Sequence, residues 1–250
     1  MGIERVTITI EDYLLKKVDI LVRSGKAKSR SHALEIIMNS YFKEHSNIPA
    51  IILVGGEKDH FMKKINGEEV IKHTVNWLKN EGISKIFICV NPSHFEDVKN
   101  LVGENEVDII QEFPLLGTAG ALKQFRDQLK ETFLVIYGDI HFQLNLERFI
   151  KFHRDNGGII TMALSSVKEP GKFGVVKVSG SQVVEFVEKP KISTTYLISA
   201  GIFLIEPTIF HYYSQKSKIS LETDIFPSLA KEGKLFGYIM SHEWTDVGKI

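Results

Sequence analysis

The residues with chemistry to offer stand where apolar runs stop. Ile51 to Val54 is such a run, and Gly55-Gly56 follows it at once, a strand-to-helix turn of the kind that brings backbone N–H groups to phosphate. The continuation is unusual for a phosphate turn. It reads Lys58, Asp59, His60 and Phe61, with Asp59 setting negative charge where a polyphosphate would lie. A second run, Leu134 to Tyr137, ends at Gly138-Asp139, and the stretch WTDVG, Trp244 to Gly248, holds Asp246. Between them, Gln111-Glu112 leads into GTAGAL, Gly117 to Leu122, where small residues let backbone approach a flat ligand. VEKP sets Glu188 beside Lys189, and SAGIFLIEP carries Gly201.

Such positions need a scaffold that gathers strand ends. From Ile51 onward strand-like runs alternate with helix-like ones: Ile51 to Val54, a helix around Val70 to Asn80, Ile86 to Val90, a helix around Phe95 to Val102, then Leu134 to Tyr137. That alternation predicts an α/β, Rossmann-like and mostly parallel sheet with helices on both faces, and ligands at the carboxyl ends of its strands. Nine scattered histidines show no ligand-like spacing, so no zinc site is expected. Lys216 and Lys218 read as a solvated loop.

The chain has 250 residues, a formal net charge of +0 and 43% hydrophobic residues, which suits one large globular domain or two unequal ones, and bulk charge names no partner. The single cysteine, Cys89, lies in the run Ile86 to Val90, which points to a core position and a reducing interior. No apolar run reaches the length of a membrane span and Met1 to Ile10 is not a signal peptide, so a cytoplasmic protein with no membrane partner is expected.

The pattern changes near Ser46-Asn47-Ile48-Pro49, which sets a front module at residues 1–46 and a large domain at residues 49–250. The front module holds 8 Lys and Arg against 6 Asp and Glu, too small an excess to argue for nucleic acid. Its pattern says more. Arg5 to Ile10 alternates, so Val6, Ile8 and Ile10 share one face of a strand and Arg5, Thr7 and Thr9 the other. Two helices follow, Glu11 to Ser24 and Ser31 to Lys43, with Gly25 closing the first and Ser29 placed to cap the second. A lone strand needs a partner, most simply a second copy of the chain.

RVTITI, the Gly25 turn and Ser29-Arg30-Ser31 make this module resemble the ribbon-helix-helix family of DNA-binding proteins. The resemblance implies a homodimer or tetramer whose ribbon enters the major groove of double-stranded DNA. Arg5, Thr7 and Thr9 would then face base edges, and Ser29 and Arg30 would meet a phosphate.

The ordered motifs from Gly55-Gly56 to WTDVG look like those of the sugar-1-phosphate nucleotidyltransferases, over nearly all of Pro49 to Gly248. The resemblance implies a nucleotide or nucleotide-sugar site. Gln111 and Gly117, Thr118, Ala119 and Gly120 would line the base and ribose, and Gly55 and Gly56 would begin the phosphate turn. Glu188 and Lys189 would hold the sugar and its phosphate, with Gly201 opening space beside the ring, while Asp139 and Asp246 would share a Mg²⁺ ion. Two carboxylates converging with phosphate oxygens suit that cation. Active members carry a loop of the form GGxGTRL…PLT…PK; here Lys58-Asp59-His60-Phe61 replaces its core, and 10 residues separate Gly56 from Gly67 where the family's form has about 20. Loss of the cationic clamp should impair nucleotidyl transfer, so no catalytic residue is assigned. The joint expectation is a transcription regulator whose impaired nucleotidyltransferase-like domain senses a nucleotide or nucleotide sugar. An active enzyme with a DNA-binding or dimerisation module is the alternative, and a structural assembly protein a third reading.

Overall fold

The computed structural model describes residues 6–46, 48–56, 58–103, 107–241 and 243–249, without the side chains of 39–46. It divides into two compact units, Met1–Ser46 and Asn47–Ile250.

In the first unit, α1 (Asp12–Arg23) and α2 (Arg30–Ser46) pack through Val18, Ala27 and Ala33. Gly25, at φ +73°, closes α1, and the Ser29 hydroxyl accepts from the His32 N–H at 3.2 Å to cap α2. The expected ribbon, which takes two copies of the chain, is not shown in the single chain. Residues 6–10 carry no regular structure, and Val6 and Ile8 are 77% and 56% exposed, because an isolated strand has no ladder to join. Thr7 and Thr9 are exposed on this segment, and Arg5 lies outside the described residues. Arg30 is engaged by Asp19 through two bonds of 2.6 and 2.8 Å, so its guanidinium is tied to the module itself.

The second unit runs β1 (Ala50–Val54), β2 (Lys64–Ile65), β3 (Glu68–Glu69), α3 (Val70–Asn80), β4 (Ile86–Val90), α4 (Phe95–Val102), β5 (Asp108–Gln111), α5 (Gly117–Leu122), β6 (Phe133–Tyr137), β7 (Ile140–Phe142), α6 (Leu146–Asn156), β8 (Ile160–Ser166), β9 (Gly174–Ser179), β10 (Gln182–Glu188), β11 (Leu197–Ile205), α7 (Phe226–Lys231), β12 (Leu235–Ile239) and β13 (Trp244–Asp246). Nine strands form one α/β sheet in the order β5-β4-β1-β6-β11-β8-β12-β10-β9. Its β5-β4-β1-β6 half is parallel, whereas β11 runs antiparallel between β6 and β8, and β9 and β10 form a hairpin. The sheet is therefore mixed. The tight turn at Gly180, φ +61°, leaves β9 and β10 no room for a crossover and so sets them antiparallel.

Helices on both faces bury every residue of β1 and β4, which explains their unbroken apolar runs. Ile51 and Leu53 enter one core and Ala50, Ile52 and Val54 the other. Cys89 is buried on β4, and burial pushes its thiol up to about 12. Among the described residues no helix is long and apolar enough to cross a membrane.

At the end of this unit remote from the strand tips, α6 is pinned to the sheet by His153. One ring nitrogen lies 2.7 Å from the Thr161 hydroxyl and the other 2.9 Å from Glu206, which also accepts from Thr132 at 2.6 Å. The His153 bond holds the Glu206 carboxyl below its ordinary value of 4.5, ahead of the opposing effect of burial. A carboxylate lowered on folding stabilises the fold above its unfolded pKa and loses that contribution as pH falls through the folded value. With about a third of the side chain open to solvent, Glu206→Ala should cost about 1 kcal/mol at pH 7, or roughly 2–4 °C in Tm at this chain length. The gap from wild type should close below pH 4.5; thermal melts across pH check it, and a gap that persists at low pH would assign the loss to packing.

Candidate functional site

The parallel strands β1 and β6 end side by side. Gly138 makes this possible: a Cβ there would stand 2.7 Å from Val54 Cγ2, and its N–H donates to the Leu53 carbonyl at 2.9 Å. Asp139 follows at the strand tips. Strand β7 then pairs with β13 so that Ile140 registers with Asp246, which brings the second carboxylate beside the first. Burial raises the Asp139 carboxyl, and the neighbouring Asp246 raises it further, while His60 and Lys249 oppose them. Asp246 accepts from the Gly248 N–H at 2.8 Å and lies 3.8 Å from Lys249 Nζ. Among the described residues no group of three or more His, Cys, Asp or Glu converges as a metal centre. Two repelling oxygen donors do fit a hard divalent cation that takes its remaining ligands from phosphate and water.

Two cavities meet at this point, and Tyr137 and Asp139 line both. The larger, about 560 Å³, takes in Gly55, Gly56, Gly117 and Thr118. The smaller, about 200 Å³, takes in Glu188, Lys189, Gly201 and Asp246. Gly201 sits at φ +76° in an irregular stretch of β11, with the Tyr137 ring 3.1 Å from where its Cβ would stand. Lys189 adopts φ +43°, a left-handed conformation uncommon outside glycine, and its Nζ lies 3.2 Å from Glu188.

Three of the expected base contacts lie elsewhere. Gln111 is exposed at the end of β5, and the next residue, Glu112, turns inward instead, 5% exposed. The Leu116 N–H donates to Glu112 Oε1 at 2.7 Å, and burial raises the carboxyl against those backbone bonds and Lys218. Ala119 and Gly120 are buried, and both their N–H groups go to the Ile219 carbonyl, at 3.0 and 3.1 Å. Their smallness serves chain packing: a Cβ on Gly120 would meet Leu116 Cβ at 2.5 Å. Gly117, at φ +82°, likewise leaves room for the Ile219 carbonyl, 2.7 Å from the place of its Cβ.

Further residues emerge only from the fold. Lys218 is exposed on a loop, as expected, and this loop also lines the larger cavity, while Lys216 pairs with Asp224 at 2.7 Å. Glu222 stands between the cavities. Tyr137 donates to one of its oxygens, and Thr118 and Ser220 donate to the other at 2.7 and 2.6 Å. It is carried on a π-helical turn, Leu221–Ile225, whose N-terminus the Ser220 hydroxyl caps.

The short loop after Gly56 is folded back on the site. Phe61 is 1% exposed and meets the His94 ring edge-on at 5.2 Å, and Lys63 Nζ donates to the Val247 carbonyl at 2.6 Å. Lys58 and His60 line the larger cavity, whereas Asp59 is exposed and forms no part of the lining. Asp59, expected to set negative charge where a polyphosphate would lie, is thus outside that lining.

The family profile described as Nucleotidyl transferase matches residues 50–250. A relative from Oryza sativa subsp. japonica, named Probable mannose-1-phosphate guanylyltransferase 2, is 34% identical over 193 residues, 72% of this chain and 53% of that protein. The mannose-1-phosphate guanylyltransferase catalytic subunit beta of Dictyostelium discoideum is 30% identical over 220 residues, 80% of this chain and 61% of that protein. The chain thus spans about half the length of the curated relatives it matches. A Bacillus anthracis crystal structure, assigned by name as a glucose-1-phosphate thymidylyltransferase in complex with a sucrose, superposes with a TM-score of 0.73 at 25% identity, over 80% of this chain and 90% of that one. These relatives are named for nucleotidyl transfer to sugar-1-phosphates and overturn the expectation of a DNA-binding transcription regulator. The chain belongs to the nucleotidyl transferase family.

Proposed function

We propose that this chain is an active sugar-1-phosphate nucleotidyltransferase that joins GTP to mannose-1-phosphate. The observation that carries the reading is the pair of cavities sharing Asp139 and Tyr137. The larger receives the nucleoside triphosphate and the smaller the sugar phosphate, so the reacting phosphates meet over Asp139 and Asp246. A phosphate oxygen of the sugar-1-phosphate forms a bond to the α-phosphorus. The bond from that phosphorus to the α–β bridging oxygen breaks, and the oxygen leaves with pyrophosphate. Asp139 and Asp246 would hold Mg²⁺, which when bound offsets the charge of the phosphates. Glu188 and Lys189 hold the sugar phosphate.

The guanine preference rests on the names of the relatives and on Glu112. A buried carboxylate can accept from both N–H donors on guanine's Watson–Crick edge, a match that adenine's edge does not provide. Its Oε2 faces the turn, 3.9 Å from where a Gly55 Cβ would stand.

The exposed apolar face of the front unit has a use in the same reading. Val6, Ile8, Tyr13 and Ile20 are all exposed, and pairing with the same segment of a second copy would cover them and supply the missing strand. The unit is then a dimerisation arm.

Pyrophosphate release from GTP and mannose-1-phosphate should require both substrates, and Asp139→Asn or Asp246→Asn should each lower it by about 10²-fold or more. Undiminished turnover in either variant would remove the carboxylate pair from the reaction. Glu112→Gln should narrow the preference for GTP over ATP by roughly 10- to 100-fold, and an unchanged ratio would place base selection elsewhere. In sedimentation the protein should be dimeric and Ile8→Glu monomeric; a monomeric wild type defeats the arm.

A further inference from the structure

We infer that Lys58 and His60 are this chain's polyphosphate clamp, a pair of donors set on the shortened loop in place of a longer cationic one; the inference rests on the nucleotidyl-transfer reading of the same cavity. Four observations carry it. Both residues line the 560 Å³ cavity alongside Gly55 and Gly56, and the intervening Asp59 is left outside the lining. The loop is anchored immediately after them: Phe61 is buried against His94, Met62 and Lys63 donate back to the Asp59 and His60 carbonyls at 2.9 and 3.0 Å, and Lys63 is spent on the Val247 carbonyl. His60 packs against Gly248, where a Cβ would stand 2.7 Å from its Nδ1, so the absence of a side chain there is what admits the imidazole beside Asp139 and Asp246. Of the other cations near the site, Lys189 pairs with Glu188, Lys249 with Asp246, and Lys218 acts on Glu112, while among the described residues no carboxylate pairs with Lys58.

The chemistry suits the departing group. A Lys ammonium is a compact positive charge with three donors, and an imidazole offers an N–H in either tautomer. Held by a short anchored loop, they lose little conformational freedom when a ligand arrives. They contact the β- and γ-phosphates, which become pyrophosphate, and leave base, ribose and sugar to the rest of the site.

The test is calorimetric titration of the full chain with GTP, GMP and inorganic pyrophosphate, for wild type, Lys58→Ala, His60→Ala, Lys58→Arg and His60→Arg. Each alanine variant should weaken GTP and pyrophosphate by roughly 10- to 100-fold and leave GMP within about twofold, and the arginine variants should retain wild-type binding. Equal weakening of GTP and GMP would make the loop a structural support and overturn the clamp, as would unchanged GTP binding. Pyrophosphate separates this inference from the guanine reading: a wild type that binds pyrophosphate but not GTP, with pyrophosphate lost in the alanine variants, keeps the clamp and rejects the nucleotide. A wild type that binds none of the three rejects both. Should an alanine variant melt early, Lys58→Gln and His60→Gln repeat the comparison.

Discussion

Asp139 and Asp246 repel each other, and the ribbon that nevertheless holds them together is the constraint on which the site depends. Burial and mutual charge both raise the Asp139 carboxyl, so bringing these groups together costs free energy that the surrounding structure must offset. The β7–β13 ladder supplies part of it, with the Val247 N–H donating to the Asp139 carbonyl at 2.9 Å and the Gly248 N–H to Asp246 at 2.8 Å. Trp244 adds a bond from its indole N–H to the Ala200 carbonyl at 2.8 Å, which ties β13 to β11. Lys63 reaches the same ribbon from the loop after β1. Four separate parts of the chain thus converge on one strained electrostatic feature, as sites that bind multiply charged ligands do.

A second carboxylate ties the two cavities to each other. Glu222 accepts Thr118 on the side of the larger cavity and Tyr137 on the wall common to both. Burial, and then Glu222 itself, drives the Tyr137 phenol well above its ordinary range, so it stays a donor. In a low-dielectric setting such chained hydrogen bonds strengthen one another. Glu222 thus links the Gly117–Leu122 segment on one side to the ring that packs against Gly201 on the other.

What the sequence discloses follows from which signals are local. Strand ends announce themselves, because a buried parallel strand is a continuous apolar run and the glycine after it is visible; Gly55, Gly56 and Asp139 were legible for that reason. The antiparallel placement of β11 was not, since a buried run has no direction written in it. Gln111 and Glu112 show the same limit at the scale of one residue: which of two adjacent polar side chains turns inward depends on the pairing of β5 with β4, and nothing local reveals it. Glycine is ambiguous in a different way. GTAGAL reads as backbone made bare for a ligand, yet Gly117 makes way for the Ile219 carbonyl, and Ala119 and Gly120 donate to it, a partner about a hundred positions away. Lys218 carries no motif of its own, and Glu222, although it stands in the motif stretch LETDIFPSLA from Leu221 to Ala230, is marked as a site residue only by its long-range bond to Thr118.

The loop after β1 shows why a damaged motif is weak grounds for a lost activity. Linear comparison weighs residue types position by position, so an Asp in place of a Thr counts as charge in the wrong place. In three dimensions successive residues of a chain face different ways, and the position that fell out of pattern, Asp59, lies outside the cavity lining, while Lys58 and His60 on either side belong to it. Shortening also changes the energetics. A long flexible loop must be ordered around its ligand at an entropic cost for each side chain it immobilises, whereas a short one pinned by a buried phenylalanine is ordered beforehand. Fewer contacts made from a rigid support can hold as firmly as more contacts made from a mobile one, so a shortened loop is not by itself a lost binding site.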